Sequence, residues 1–296
     1  MSVEVVPFEG AGCGAEIRGV DIREPLSAAD RDAIRKAWLD NLVLRFRGMP
    51  MTDAQHMAFT RQFGELEFNP AKLIEKQYGV ETQTAGRKSE IPPEISVISN
   101  IIEDGKAIGG LGSYELVWHT DMSYNPLPPR ASLLYALEVP PDGGNTGFLN
   151  MYTAYETLAG TLKRAIEGKT CIHDSSRNSA GELRKGFQTT HDVSKTPGAV
   201  HPLVRRHPVT GRNALFLGRR PGAYIHGMSV EDSENLLDAV WAHATQPHFA
   251  WYQKWRIGDL VLWDNRCVMH RRDAFDEGLR RLMHRTQIVG EPVMAG

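Results

Sequence analysis

The chain has 296 residues, with 34 Lys+Arg against 36 Asp+Glu for a net charge of −2, and 41% hydrophobic against 24% charged residues. That is a globular composition able to bury a core without staples, and Cys13, Cys171 and Cys267 are too few and too widely spaced for a disulfide scaffold or a Cys-pair zinc site. The near-neutral balance without basic runs argues against nucleic acid or an anionic membrane as a partner, and no apolar run approaches the ~18 residues of a membrane span, so we expect a cytoplasmic protein with neither span nor signal peptide.

No repeat or low-complexity tract interrupts residues 1–296, and a single domain is expected. Ser27-x-x-Asp30 is a capping box opening a helix that carries Ile34 and Trp38. A strand is predicted over 42–46, and Thr52-x-x-Gln55 opens a second helix with Phe59 and Phe63. Apolar runs predict strands over 95–102, followed by the turn pair Asp104-Gly105, and over 131–139 and 146–150. Thr153-x-x-Glu156 opens a third helix and Ser229-x-x-Asp232 a fourth, whose Leu236, Leu237, Val240 and Trp241 form an apolar stripe. Further strands are expected over 214–217, 259–263, 267–270 and 282–289. Strands that dominate the middle and end of the chain point to an antiparallel sandwich or jelly roll rather than a doubly wound sheet. Residues 71–92 and 174–199 are polar and too long for plain connections, so they are expected to be lids over a site.

Three signals carry chemistry. In Trp118-His119-Thr120-Asp121, strand alternation would project His119 and Asp121 to one side, where an imidazole nitrogen and a carboxylate oxygen could share a metal. His270 ends the apolar run after Trp263-Asp264-Asn265-Arg266, where burial demands a partner. Two His and one carboxylate without a thiolate form the three-ligand face of non-haem Fe(II) oxygenases, although the same set also suits catalytic zinc. In Arg280-Arg281-Leu282-Met283-His284-Arg285, alternation puts Arg281, Met283 and Arg285 on one face, and two inward guanidinium groups imply an anionic ligand.

The order His119-x-Asp121, Gly143-Gly144-Asn145-Thr146, Trp263-Asp264-Asn265-Arg266, His270 and Arg281/Arg285 resembles the Fe(II)/2-oxoglutarate-dependent dioxygenases of the taurine dioxygenase and 2,4-dichlorophenoxyacetate dioxygenase family. The likeness runs from Gly19-Val20-Asp21 and Val43-Leu44-Arg45-Phe46-Arg47-Gly48 to the last strand. It implies a mainly β fold, a double-stranded β-helix (jelly roll) core with outer helices, and Fe(II), 2-oxoglutarate and O2 as cofactor and cosubstrates. It also implies His119, Asp121 and His270 as the iron ligands, and Arg281 and Thr146 as partners of the distal carboxylate of 2-oxoglutarate. Arg285 matches the position that reaches the substrate's acid group or the cosubstrate.

Asp121 fills the carboxylate position that related halogenases vacate, which favours hydroxylation. After Phe63-Gly64-Glu65-Leu66 the sequence continues Glu67-Phe68-Asn69-Pro70 instead of the His-rich stretch of the taurine enzymes. An aryloxyalkanoate such as a phenoxyacetate is therefore the expected substrate, as in 2,4-D degradation, broken to a phenol and a 2-oxo acid alongside succinate and CO2. The alternative is a taurine, alkylsulfonate or alkylsulfate dioxygenase. Outside the class stand a zinc hydrolase and a non-catalytic jelly-roll binding module, neither of which explains an inward Arg281/Arg285 pair with Thr146. The expected partners are a small acidic substrate and further copies of the chain in a homo-oligomer. His173, His191, His201 and His207 match no ligand spacing and are read as separate loop or surface histidines; Cys267 is read as core, and Trp118 and Trp263 as candidates for the pocket wall.

Overall fold

The computed structural model describes residues 2–79, 91–113 and 116–296. Its largest sheet has eight strands in the spatial order Glu4–Pro7, Ala15–Arg18, Val43–Phe46, Leu260–Asp264, Ala131–Glu138, Leu282–Ile288, Ser96–Ser99 and Gly110–Leu111. The central pairings are antiparallel. A three-stranded antiparallel sheet sets Thr146–Asn150 between Ala250–Gln253 and Val268–Arg272.

The large sheet is buried on both faces, which is why its central strands read as unbroken apolar runs rather than alternating ones. Alternate residues go to different cores. Val43, Leu134, Val261, Trp263 and Met283 join Phe148, Leu149 and Met269 of the small sheet in one cluster. Their neighbours Leu44, Leu133, Leu260 and Leu262 pack outward with Ile34, Trp38, Phe59 and Phe63. Helices thus cover the outer face, and the architecture is mainly β with helices outside. Among the described residues no helix is long and apolar enough to cross a membrane.

Local chemistry sets the helix starts. The Ser27 side chain accepts from the Asp30 N–H to cap Ala28–Asn41, Thr52 and Gln55 close a full capping box on Asp53–Arg61, and Ser229 caps Val230–Ala244. The third helix departs from expectation. It spans Met151–Glu156, and Asn150, not Thr153, caps it by accepting from the N–H groups of Tyr152 and Thr153. An Asx side chain at the end of a strand reached those donors first, so Thr153 lies inside the helix.

The run predicted over 95–102 breaks into Ser96–Ser99 and the short hairpin Ile102–Glu103/Lys106–Ala107, whose turn residues Asp104 and Gly105 have φ of 49° and 73°. Of the 71–92 stretch, helix Pro70–Tyr78 takes the start, with Asn69 as its N-cap, while residues 80–90 lie outside the described residues. The 174–199 stretch folds back on itself through a bridge between Arg177 and Leu183 and ends in strand Gly198–Pro202, which pairs with Thr170–Asp174.

Candidate metal centre

His119, Asp121 and His270 lie together, buried, with one ligand atom from each within 4.8 Å of the others. Asp121 Oδ1 is 3.6 Å from His119 Nε2 and 3.7 Å from His270 Nε2. Strand alternation is not what brings them there. His119 makes isolated bridges to His270 and Arg219, with paired N–H···O bonds of 2.9 Å between His119 and His270. Asp121 sits in the turn that follows, where Met122 has φ 50°. Asn265 fixes that turn: its Oδ1 accepts from the Asp121 N–H and its Nδ2 donates to the Asp121 and Pro129 carbonyls, each at 2.9 Å. In the sequence Asn265 stands out only within Trp263-Asp264-Asn265-Arg266; the signal for its role is an amide at the end of an apolar run, where it has to be buried.

His119 Nδ1 lies 2.8 Å from the Val117 carbonyl, which can only accept, so Nδ1 carries a proton and Nε2 is the ring atom turned toward Asp121. Burial, then the neighbouring His119, drives His270 well below the usual imidazole range. Burial works to raise the Asp121 carboxyl, but the Arg285 guanidinium together with His270 and His119 outweighs it and holds the group well below the ordinary carboxylate range. Arg285 Nη1 donates to Oδ1 at 2.7 Å, while Ser132 and Gln287 hold Oδ2 at 2.7 and 3.2 Å. Two imidazole Nε2 atoms and a carboxylate oxygen thus converge on one point. A divalent cation resolves that juxtaposition, and the N2O donor set suits Fe(II).

Arg281 is buried, and its Nε and Nη1 meet no acceptor among the described residues. Burial, then the nearby Arg272, pushes its guanidinium down to about 9. A Cβ on Gly144 would stand 3.3 Å from its Cδ and Nε, so the glycine leaves the room that Arg281 occupies. Thr146, two residues on, is buried and accepts from Trp255 Nε1 at 3.0 Å. Arg272 pairs across from Thr146, and its proximity to Arg281 was missed because Val268–Arg272 runs past the expected end at 270.

A cavity of about 590 Å³ opens on the triad. Among the described residues its wall holds His119, Asp121 and Arg285 but not His270, Thr146 or Arg281. Ile95, Val97, Ile108, Leu111 and Met122 make it apolar, and Arg184, Lys185 and Arg219 make one part basic. Trp118 and Trp263 do not line it: Trp263 backs His270 at 4.7 Å between ring centroids, and Trp118 lies under the Arg271 guanidinium. Cys267 is core, but His173, His201 and His207 are not loop or surface residues as expected: all three are buried, His173 and His201 in paired strands with rings 5.1 Å apart, and His207 bonds Asp264 at 3.1 Å. His284 packs between the sheet and the second helix, on Asp53 at 2.6 Å.

The model of the taurine catabolism dioxygenase TauD, TfdA family matches residues 4–287. The chain is 32% identical over 288 residues to the alpha-ketoglutarate-dependent 2,4-dichlorophenoxyacetate dioxygenase of Cupriavidus pinatubonensis, covering 95% of this chain and 96% of the relative. It is equally 32% identical over 300 residues to pentalenolactone F synthase of Streptomyces arenae, covering 95% and 93%. The crystal structure of AAD-2 with Mn(II) and N-oxalylglycine superposes with a TM-score of 0.78 at 32% identity, over 99% of this chain and 100% of that one.

Proposed function

The chain belongs to the TauD, TfdA dioxygenase family and is an Fe(II)- and 2-oxoglutarate-dependent dioxygenase, and from that premise we propose that it hydroxylates an aryloxyalkanoate such as a phenoxyacetate. Equal identity to relatives acting on unlike molecules leaves the choice of substrate to the site. The observation that carries the reading is the cavity itself, apolar along Ile95, Val97, Ile108 and Leu111, basic at Arg184, Lys185 and Arg219, and open to His119 and Asp121. An aryl body with one acid group matches that division.

In this reading His119, Asp121 and His270 hold the iron, and Arg281 with Thr146 receives the distal carboxylate of 2-oxoglutarate. A planar guanidinium buried without a carboxylate of its own suits a bidentate acid. The iron, with 2-oxoglutarate and O2, supplies oxidative decarboxylation to succinate and CO2 coupled to hydroxylation of the substrate. The chain's own task is to place the carbon beside the ether oxygen at the open face of the triad and keep water away. The product is a hemiacetal that falls to a phenol and a 2-oxo acid. Helix Pro70–Tyr78 and the Arg177–Leu183 fold each lend residues to the wall, which supports 71–92 and 174–199 as lids. The strand pairing of the two main sheets supports a double-stranded β-helix core.

The test is succinate formation by the purified protein with Fe(II), ascorbate and 2-oxoglutarate. Phenoxyacetates or phenoxypropionates should stimulate it with release of a phenol. Stimulation by taurine or alkyl sulfates alone would overturn the substrate class.

A further inference from the structure

We infer that Gly110 keeps the far end of the substrate cavity open, so that the enzyme takes an aryloxy acid with a second, fused ring in preference to a single-ring one. This rests on the reading of the chain as an aryloxyalkanoate dioxygenase and narrows its substrate.

A glycine in a strand weakens it, because it has the most backbone entropy to lose and no side chain to pack. What ordinarily asks for one is a left-handed backbone or bulge, the close approach of another part of the protein, or a ligand. Gly110, itself exposed, opens the edge strand Gly110–Leu111, which pairs with Ser96–Ser99 through Ile98 to Gly110 and Ser99 to Leu111 with no shift of register. Its φ lies outside the left-handed region, and a Cβ built on it meets no atom within 4 Å. Its neighbour Gly109 is the opposite case. There a Cβ would come within 2.8 Å of the Val97 carbonyl oxygen and 2.9 Å of Val97 Cγ1, so packing accounts for that glycine. Nothing among the described residues accounts for Gly110 except room for a ligand.

The strand register says which way that room lies. Met283 stands across from Ile98, and Ile98 across from Gly110, so the three positions share one face of the sheet. Met283 and Ile98 belong to the inner core, and Arg285, two residues beyond Met283, shares that face and donates to Asp121. A side chain at 110 would therefore project inward. Asp121, Arg285, Ile98 and Gly110 all line the cavity of about 590 Å³. Adjacent strands lie ~4.8 Å apart, which puts Gly110 roughly 10 Å across the sheet from the strand of Arg285. The triad end of the cavity takes the reacting carbon, and the Gly110 end, beside the apolar Ile98 and Ile108, takes the part of the substrate remote from it. The volume lies in the ~300–1,000 Å³ range of sites that enclose drug-sized molecules, and phenoxyacetate is smaller than those. A second fused ring occupies the space that Gly110 leaves.

The test is calorimetric binding to the Mn(II)/2-oxoglutarate protein without O2, using phenoxyacetate and 2-naphthoxyacetate, whose acid ends are the same. Wild type should bind the naphthyl acid about 10-fold tighter or more, from the added buried ring. Gly110→Leu sets a branched side chain in the open space and should cut that preference by about 10- to 100-fold, the penalty of overpacking, and Gly110→Ala should cut it by less. Alanine fits the backbone at this position, so Gly110→Ala should unfold at no lower urea concentration than wild type, and it carries the test if the leucine variant misfolds. A lowered urea midpoint in Gly110→Ala would make the glycine a structural requirement and overturn its role in selection. Equal wild-type affinities for the two acids, or a naphthyl preference that every folded variant keeps, also overturns that role and leaves the aryloxy reading standing. If neither acid binds wild type, the aryloxy reading falls and this inference with it.

Discussion

Arg285 Nη1 and the imidazoles of His119 and His270 converge on one atom: Asp121 Oδ1 accepts from Arg285 at 2.7 Å and stands 3.6 and 3.7 Å from Nε2 of His119 and His270. Arg285 therefore sets the direction of that oxygen and, with His270 and His119, its ionised state, against a burial effect that would raise it. Arg285→Gln removes the guanidinium and weakens the opposition to burial, so a proton competes better for the oxygen. Affinity for Mn(II) should fall about 10- to 100-fold, as for other groups that orient a metal ligand, and the deficit should deepen as pH falls. Titration of Mn(II) by electron paramagnetic resonance at two pH values checks this. Wild-type metal affinity with a raised KM for the acid substrate would return Arg285 to the substrate.

Arg281→Ala should act on the cosubstrate instead. Losing one partner of a buried charge pair costs roughly 3–5 kcal/mol, or about two to three and a half decades in affinity. The KM for 2-oxoglutarate should rise on that scale whichever acid is the prime substrate, and Arg281→Lys should not restore it, because an ammonium lacks the bidentate fork. Mn(II) affinity should be untouched. An unchanged KM in Arg281→Ala would remove the residue from the cosubstrate site.

The residues of this site were legible because they break a rule. His119, Asp121, His270, Arg281 and Arg285 are polar groups set in or beside apolar runs, and burial makes such groups declare themselves. Their partners were harder to read. Arg285 could be placed on the inner face by alternation, but its bond to Asp121 joins two segments whose approach depends on the whole sheet order. Likewise the His119-to-His270 bridge replaced the expected strand, since a two-residue contact leaves no periodic pattern. Strands such as Thr170–Asp174 and Ala250–Gln253 escaped notice because they are short. Arg184 lay in a stretch read only as a lid, and nothing local reveals that Tyr124 receives it.

Asn265 is the residue whose loss should show most clearly in stability. It makes three hydrogen bonds of 2.9 Å that close the Asp121 turn onto the end of Leu260–Asp264. Alanine leaves a buried N–H and two carbonyls without the amide, at about 1–3 kcal/mol for each group that water cannot reach, so a total loss of roughly 3–9 kcal/mol is expected. Urea unfolding measures it. A loss under about 1 kcal/mol would mean that the turn holds without the amide.

The helix Asp53–Arg61 gives the fold a pH dependence separate from the metal centre. His56 is fully buried between that helix and strand Leu282–Ile288, with Nε2 3.1 Å from Thr286 Oγ1. Burial, then the nearby His284, lowers its imidazole to about 3, whereas in the unfolded chain it titrates near ~6.5. Between those values the unfolded state holds the extra proton, so stability falls as pH drops, by up to about 1.4 kcal/mol per pH unit from this one group. Asp53, lowered by its hydrogen bond from His284, acts in the same direction at lower pH, its contribution vanishing as the carboxylate protonates. His56→Gln removes the imidazole's proton linkage but keeps a polar group for Thr286, so it should be less stable than wild type at pH 7.5 and lose less between pH 6.5 and 4.5. Comparing the two unfolding profiles isolates His56 from the other buried histidines, which are common to both. Parallel profiles would show that the proton is taken up elsewhere.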